Sequence, residues 1–217
     1  MTSAPTRRKL KAACERLAGT DPALGRAYET IGVPDWRTGE PSFAMLGRVI
    51  AHQQLSTKAA ATIWGRVEGH LGEVTPESLL AADFEALRAC GLSRPKIAHL
   101  SSIAEAMVTG ELSLARVCAA ELDSARAELV SVRGIGPWTA ELFLLYAVGA
   151  MDAFPVADVG LMEAHKQLGG YEIRMESKAF TAHAEAWRPH RGVAAHLLWG
   201  WLNAERARDA APAPKGA

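Results

Sequence analysis

Between Leu129 and Asp158 the chain reads LVSVRGIGPWTAELFLLYAVGAMDAFPVAD, and two features of this stretch could do chemistry. The first is the turn Arg133-Gly134-Ile135-Gly136, set between two apolar helical runs. Its glycines are expected to carry the backbone through positive φ, and Pro137 opens the next helix, whose first-turn N–H groups have no acceptor inside the helix. Such amides can hold an anion without any lysine. Taken alone, the same turn also reads as a tight connector between packed helices. The second feature is Asp158, a carboxylate just ahead of VGLMEAHKQLG. By position it is a helix N-cap, although an anion held there could also stabilise positive charge developing on a substrate.

The elements that position these residues are helical throughout. Alanine, leucine and glutamate dominate while β-branched residues are sparse, and 49% hydrophobic content supplies a packed core. Caps and breakers mark the helices. Asp21-Pro22 opens one that Gly32 and Pro34 close; Ser42 caps FAMLGRVIAHQQ; Ser56 caps TKAAATIWGRVEGHL up to Gly72. Thr75-Pro76, Asp83 and Ser93 start three more. Asp123 is expected to cap SARAELVSV, and Pro137 to open a helix running through Val148. Asp158 leads a helix that Gly169-Gly170 end, and two further helices cover Ser177 to Trp187 and roughly His190 to Arg208. The loop from Asp35 to Pro41 marks a boundary, giving one lobe at residues 42–150 and a second from 1–41 and 151–217. The Ala/Pro-rich tail from about residue 209 is expected to be disordered.

Composition excludes several classes. Lys plus Arg equals Asp plus Glu at 24 each, so no long-range field draws the chain to a polyanion, and any nucleic-acid contact must be local. The most apolar run, Leu142 to Met151, is too short to span a bilayer, which predicts no membrane association. The polar, basic N-terminus does not resemble a secretory signal. Cys14, Cys90 and Cys118 are too few and too scattered for a zinc or iron–sulfur motif, and read as reduced thiols of a cytoplasmic protein. The 7 histidines show no paired metal-ligand spacing and read as surface or core imidazoles.

Four segments in order carry a family resemblance: IAHQQLS from Ile50 with Ala59-Ala60, Gly91-Leu92-Ser93 with Lys96, the hairpin through Asp158, and WRPHRGVAAHLLW from Trp187 to Trp199. Together they resemble the helix-hairpin-helix DNA glycosylase superfamily, in particular its alkylated-base branch, the 3-methyladenine DNA glycosylase II type. The resemblance implies an all-α, two-lobed fold with a central cleft, without an iron–sulfur cluster or an N-terminal sheet domain. It implies a hydrolase that removes alkylated, cationic bases from duplex DNA as a monomer, leaving an abasic site for base excision repair.

The resemblance also assigns residues. Asp158 is the catalytic carboxylate, placed to stabilise the oxocarbenium-like sugar. Trp138 and Trp199 line the base pocket, where an indole face attracts a cationic base by ~0.5 to 2 kcal/mol. Amides of Gly134, Gly136 and Thr139 hold a backbone phosphate, and Gln54, then Leu55, fill the space left by the flipped base. Trp138 stands where lyase members carry a lysine, so the chemistry is expected to stop at hydrolysis. No cofactor is required, but the carbonyls of Val130, Val132 and Gly134 form a candidate site for Na+ or K+. Arg191 is expected to brace the last helix. Trp36, Trp64, Trp187 and Trp201 are left to the core. A non-enzymatic helix-hairpin-helix protein that binds DNA, and a helical scaffold that never meets DNA, are the other two readings of the residues.

Overall fold

The computed structural model describes residues 4–210, which divide into two compact units. One is Thr38–Ala150; the other combines residues 4–37 with 151–210. Among the described residues there is no strand, and no helix is long and apolar enough to cross a membrane.

The first unit holds α3 (Phe43–His52), α4 (Thr57–Leu71), α5 (Pro76–Ala81), α6 (Phe84–Ala89), α7 (Arg94–Val108), α8 (Leu114–Ala119), α9 (Leu122–Ser131) and α10 (Pro137–Phe143). Most starts follow the expected caps. Ser42 Oγ accepts from Met45 N at 3.2 Å, Ser56 Oγ from Ala59 N at 3.3 Å, and Asp83 from Ala86 N at 2.9 Å, each satisfying an amide that the first turn leaves over. Leu46, Ile50, Trp64, Leu100, Leu129 and Phe143 fill the core, each worth roughly 1.5–3 kcal/mol on burial.

Three expectations need correction here, and one cap was missed. Helix α9 starts at Leu122, not behind Asp123, because that carboxylate is drawn into an ion pair with Arg126, which also clasps the buried Glu141 of α10. The run from Pro137 is α-helical only to Phe143 and continues as a π-helical turn, Leu144–Val148, closed by Gly149 in the left-handed region. The cap at Ser113 that starts α8 was not expected. Helix α3 ends at His52, leaving Gln53 and Gln54 in the following loop.

The second unit holds α1 (Arg7–Thr20), α2 (Pro22–Ile31), α11 (Val159–Gly169), α12 (Ser177–Ala184) with a 3-10 turn Glu185–Trp187, and α13 (Arg191–Asp209). From Arg191 to Leu198 every residue of α13 is buried, so the helix is the axis of this unit and packs on α1, α2 and α11. Two polar residues in that stretch have local partners. Arg191 donates to both carboxylate oxygens of Asp152, at 3.0 and 2.9 Å, and to Glu185 at 2.8 Å. His196 Nδ1 donates to Gly192 O at 2.8 Å. Helix α13 runs to Asp209; the rest of the tail expected to be disordered lies outside the described residues. All three cysteines are free thiols, and burial pushes Cys14 up to about 11, which leaves it unreactive.

Candidate functional site

The first unit carries the hairpin and the loop between α3 and α4. Helix α9 ends on the turn and α10 starts from it, so last-turn carbonyls and first-turn amides face the same short loop. Ile135 N donates to Val132 O at 3.1 Å and closes the turn. Gly134 sits at φ +100°, and a Cβ there would lie 2.8 Å from His99 Cβ and 2.9 Å from His99 Cα, so no other residue fits between the turn and α7. Gly136 corrects the expectation of two positive-φ glycines. Its φ is −80° with ψ 167°, and an added Cβ would meet nothing within 4 Å. Neither backbone nor packing asks for glycine there. The turn lines an open concavity of about 510 Å³ with Gln53, His99 and residues 130–136.

Thr139 is 1% exposed in the first turn of α10, and its hydroxyl accepts from Gln53 Nε2 at 2.9 Å. The same loop is held by Lys96 of α7, whose ammonium donates to Ala51 O and Gln53 O, each at 2.9 Å. Burial lowers the Lys96 pKa from its ordinary value. Just beyond these anchors the next residues project. Gln54 is exposed with φ +58°, a left-handed conformation that costs a non-glycine residue roughly 1–2 kcal/mol, and Leu55 is 41% exposed. Trp138 is half-buried at the second position of α10.

The second unit carries Asp158 and Trp199. Asp158 Oδ1 accepts from Leu161 N at 3.0 Å, which caps α11, and from Trp199 Nε1 of α13 at 3.1 Å. The carboxylate is half-buried. Gly160 keeps room beside it: a Cβ there would stand 3.1 Å from Asp158 Oδ1 and 3.7 Å from Trp199 Nε1. Trp199 meets His196 edge to face at 6.3 Å, and Trp36 stacks on His196 at 4.2 Å, nearly parallel at 16°. Desolvation lowers His196 to about 4, so the imidazole in this aromatic row is neutral at pH 7.

The hairpin, the loop after α3 and Asp158 fall inside a recognised segment, with Trp199 just beyond its end. Residues 48–189 match the family model of the HhH-GPD superfamily base excision DNA repair protein. The chain belongs to the HhH-GPD superfamily. Among curated relatives, the DNA-3-methyladenine glycosylase 1 of Schizosaccharomyces pombe is 34% identical over 159 residues, covering 70% of this chain and 68% of its own length. A probable bifunctional transcriptional activator and DNA repair enzyme of Mycobacterium tuberculosis is 31% identical over 88% of this chain, which spans only 42% of that relative. Among solved structures, a 3-methyladenine DNA glycosylase of the same yeast in complex with abasic DNA superposes with a TM-score of 0.79 at 31% identity, covering 87% of this chain and 95% of that one.

In this HhH-GPD protein the expected residues thus gather as two sets, Gly134, Gly136, Thr139, Trp138, Gln54 and Leu55 in one unit and Asp158 with Trp199 in the other. Gln53 and the working contact of Lys96 were missed by the sequence reading. The amide-rich run His52-Gln53-Gln54 was the available signal, but nothing local says which amide turns inward to Thr139. Trp36, left to the core, is half-buried and stacks on the buried imidazole next to Trp199.

Proposed function

We propose that this HhH-GPD protein is a monofunctional DNA glycosylase that hydrolyses the N-glycosidic bond of alkylated, cationic bases such as 3-methyladenine and 7-methylguanine in duplex DNA. The observation that carries the reading is the fixed carboxylate of Asp158, held by an amide and an indole N–H in a chain whose family repairs bases. The names of the relatives supply the substrate class. As the glycosidic bond breaks, its electron pair leaves with the base, which departs neutral, and positive charge remains on the sugar. Asp158 stabilises that charge; water then adds at C1′ and gives up a proton, leaving an abasic site. At ~4 Å and an effective dielectric of ~20, the attraction is ~4 kcal/mol, or about three decades in rate.

The other residues take supporting roles in this reading. Amides of Gly134, Gly136 and Thr139 grip a phosphate, Gln54 and Leu55 occupy the space of the everted nucleotide, and Trp138 and Trp199 face the base. Trp138 offers no amine for a Schiff base, so the strand is left uncut. The carbonyls of Val130, Val132 and Gly134 suit a sodium or potassium ion, which would supply positive charge toward a phosphate. Val132 O already accepts from Ile135 N and has a second lone pair for it. The protein acts as a monomer in the cytoplasm and requires no cofactor.

The deciding experiment is release of 3-methyladenine and 7-methylguanine from methylated duplex by the wild type and by Asp158→Asn. Release by the wild type with a loss of about three decades in the variant is expected. Equal release by both removes Asp158 from the chemistry, and no release by either, with duplex binding intact, makes the protein a non-enzymatic DNA binder.

A further inference from the structure

The second unit buries another carboxylate, far from the chemistry assigned above in sequence and in role. Asp21 lies at the junction of α1 and α2 and is 4% exposed. Its oxygens have different tasks. Oδ1 caps α2, accepting from Ala23 N at 2.8 Å and Leu24 N at 3.4 Å. Oδ2 faces three nitrogens: His183 Nε2 at 2.7 Å, Trp187 Nε1 at 3.1 Å and His165 Nε2 at 3.2 Å. A carboxylate oxygen offers about two lone-pair directions, so three donors oversubscribe it. A buried anion also needs a countercharge, and among the described residues no lysine or arginine pairs with Asp21. Either an imidazolium or a metal cation supplies it.

We propose that Asp21, His165 and His183 form a structural site for one divalent transition-metal ion, with zinc the best match to two imidazole nitrogens and one carboxylate oxygen. The three ligand atoms all lie within 4.8 Å of one another. A point about 2.5 Å from each of them exists, so side-chain movements of roughly half an ångström reach zinc–ligand distances of about 2.0–2.1 Å. The ion resolves the crowding at Oδ2: both histidines become ligands through Nε2 and carry their protons on Nδ1, and Trp187 remains as the single donor to that oxygen. The indole and the two amides on Oδ1 then form the outer shell that such sites use to orient a ligand.

The surroundings suit a three-ligand site that is shielded on one side and keeps one position open. His165 is 1% exposed among the rings of Tyr171, Phe180 and Trp187, which excludes water from that side. His183 is 34% exposed, leaving a path for the ion and for a water as fourth ligand. The ligands come from the α1–α2 junction, α11 and α12. The ion therefore ties three segments together, one of them the helix that Asp158 begins.

The test uses the untagged full-length protein, freed of metal by a chelator and titrated with Zn2+ by calorimetry and thermal unfolding, with Co2+ as the spectroscopic probe. We expect one equivalent of Zn2+ bound, a raised Tm, and visible Co2+ bands of a four-coordinate site. His183→Gln removes a partly exposed ligand and should fold, with affinity weakened more than roughly a hundredfold; Asp21→Asn is the companion variant. Absence of saturable binding by the wild type overturns the proposal and leaves imidazolium as the countercharge. Undiminished binding by His183→Gln overturns it equally, since the metal then sits elsewhere. None of these readouts depends on base excision.

Discussion

The indole N–H of Trp199 and the backbone N–H of Leu161 meet on the same oxygen of Asp158, at 3.1 and 3.0 Å. One donor belongs to α13 and the other to α11, so the carboxylate is oriented by two helices that pack on each other. In the proposed reaction the same residue serves as cap and reactant, with the cap contact setting its direction.

Trp199→Phe tests that orientation. An aromatic face is kept while the N–H donor is lost together with part of the indole, and a hydrogen bond to a charged group is worth about 1.5–3 kcal/mol. Single-turnover excision of 7-methylguanine should slow by roughly ten- to a hundredfold. Asp158→Asn, by contrast, preserves a good N-cap, so its Tm should stay close to wild type while its excision rate collapses.

The two hairpin glycines should separate stability from binding. Gly134→Ala forces a Cβ against His99 at 2.8 Å with φ at +100°, so a loss of several degrees in Tm is expected. Gly136→Ala meets nothing within 4 Å and keeps an ordinary φ, so Tm should be unchanged. Its cost should appear in salt-dependent duplex binding, where a methyl group obstructs the approach of a phosphate; unchanged duplex affinity would remove Gly136 from the grip.

Gln53 and Thr139 are suited to a double-mutant cycle. Their 2.9 Å bond is partly buried, and Gln53→Ala with Thr139→Val should show coupling of about 1 kcal/mol in denaturant unfolding. Lys96→Met removes the donor to both Ala51 O and Gln53 O. Fluorescence of 2-aminopurine beside a lesion should report slower base eversion in that variant, with little change in binding to undamaged duplex.

Stability should fall in acid through His196. Its folded pKa of about 4 lies below the ordinary 6.5, so the unfolded chain binds the extra proton between those values. The contribution is complete above pH 6.5 and is lost as pH drops toward 4, by up to about 3 kcal/mol. His196→Phe should flatten this part of the profile in chemical denaturation at pH 7 and pH 4.5. An equal slope in both proteins would assign the acid sensitivity elsewhere.

What could be read from the sequence was what depends on near neighbours. Capping at Asp21, Ser42, Ser56, Asp83 and Asp158 is a bond to an amide two or three residues on, and each of those caps is present. Asp123 misled because an arginine three residues later competes for its carboxylate. Gly136 misled because a glycine that leaves room for a partner and one that turns the chain look alike in a string of letters. The bond between Lys96 and the loop after α3, the row of Trp36, His196 and Trp199, and the meeting of Asp21 with His165 and His183 join residues that no local period connects. They follow from which helices pack together, a global outcome of burial.

Gln53 bonded to Thr139, with Lys96 behind it, ties the projecting loop to the first turn of α10, the helix that the glycine turn opens. The spacing between Gln54 and the hairpin amides is thereby coupled to one side-chain hydrogen bond, as the gap of a caliper is to its screw. In the proposed reading, a DNA strand laid across them would meet a spacing set by this hydrogen bond rather than by the DNA.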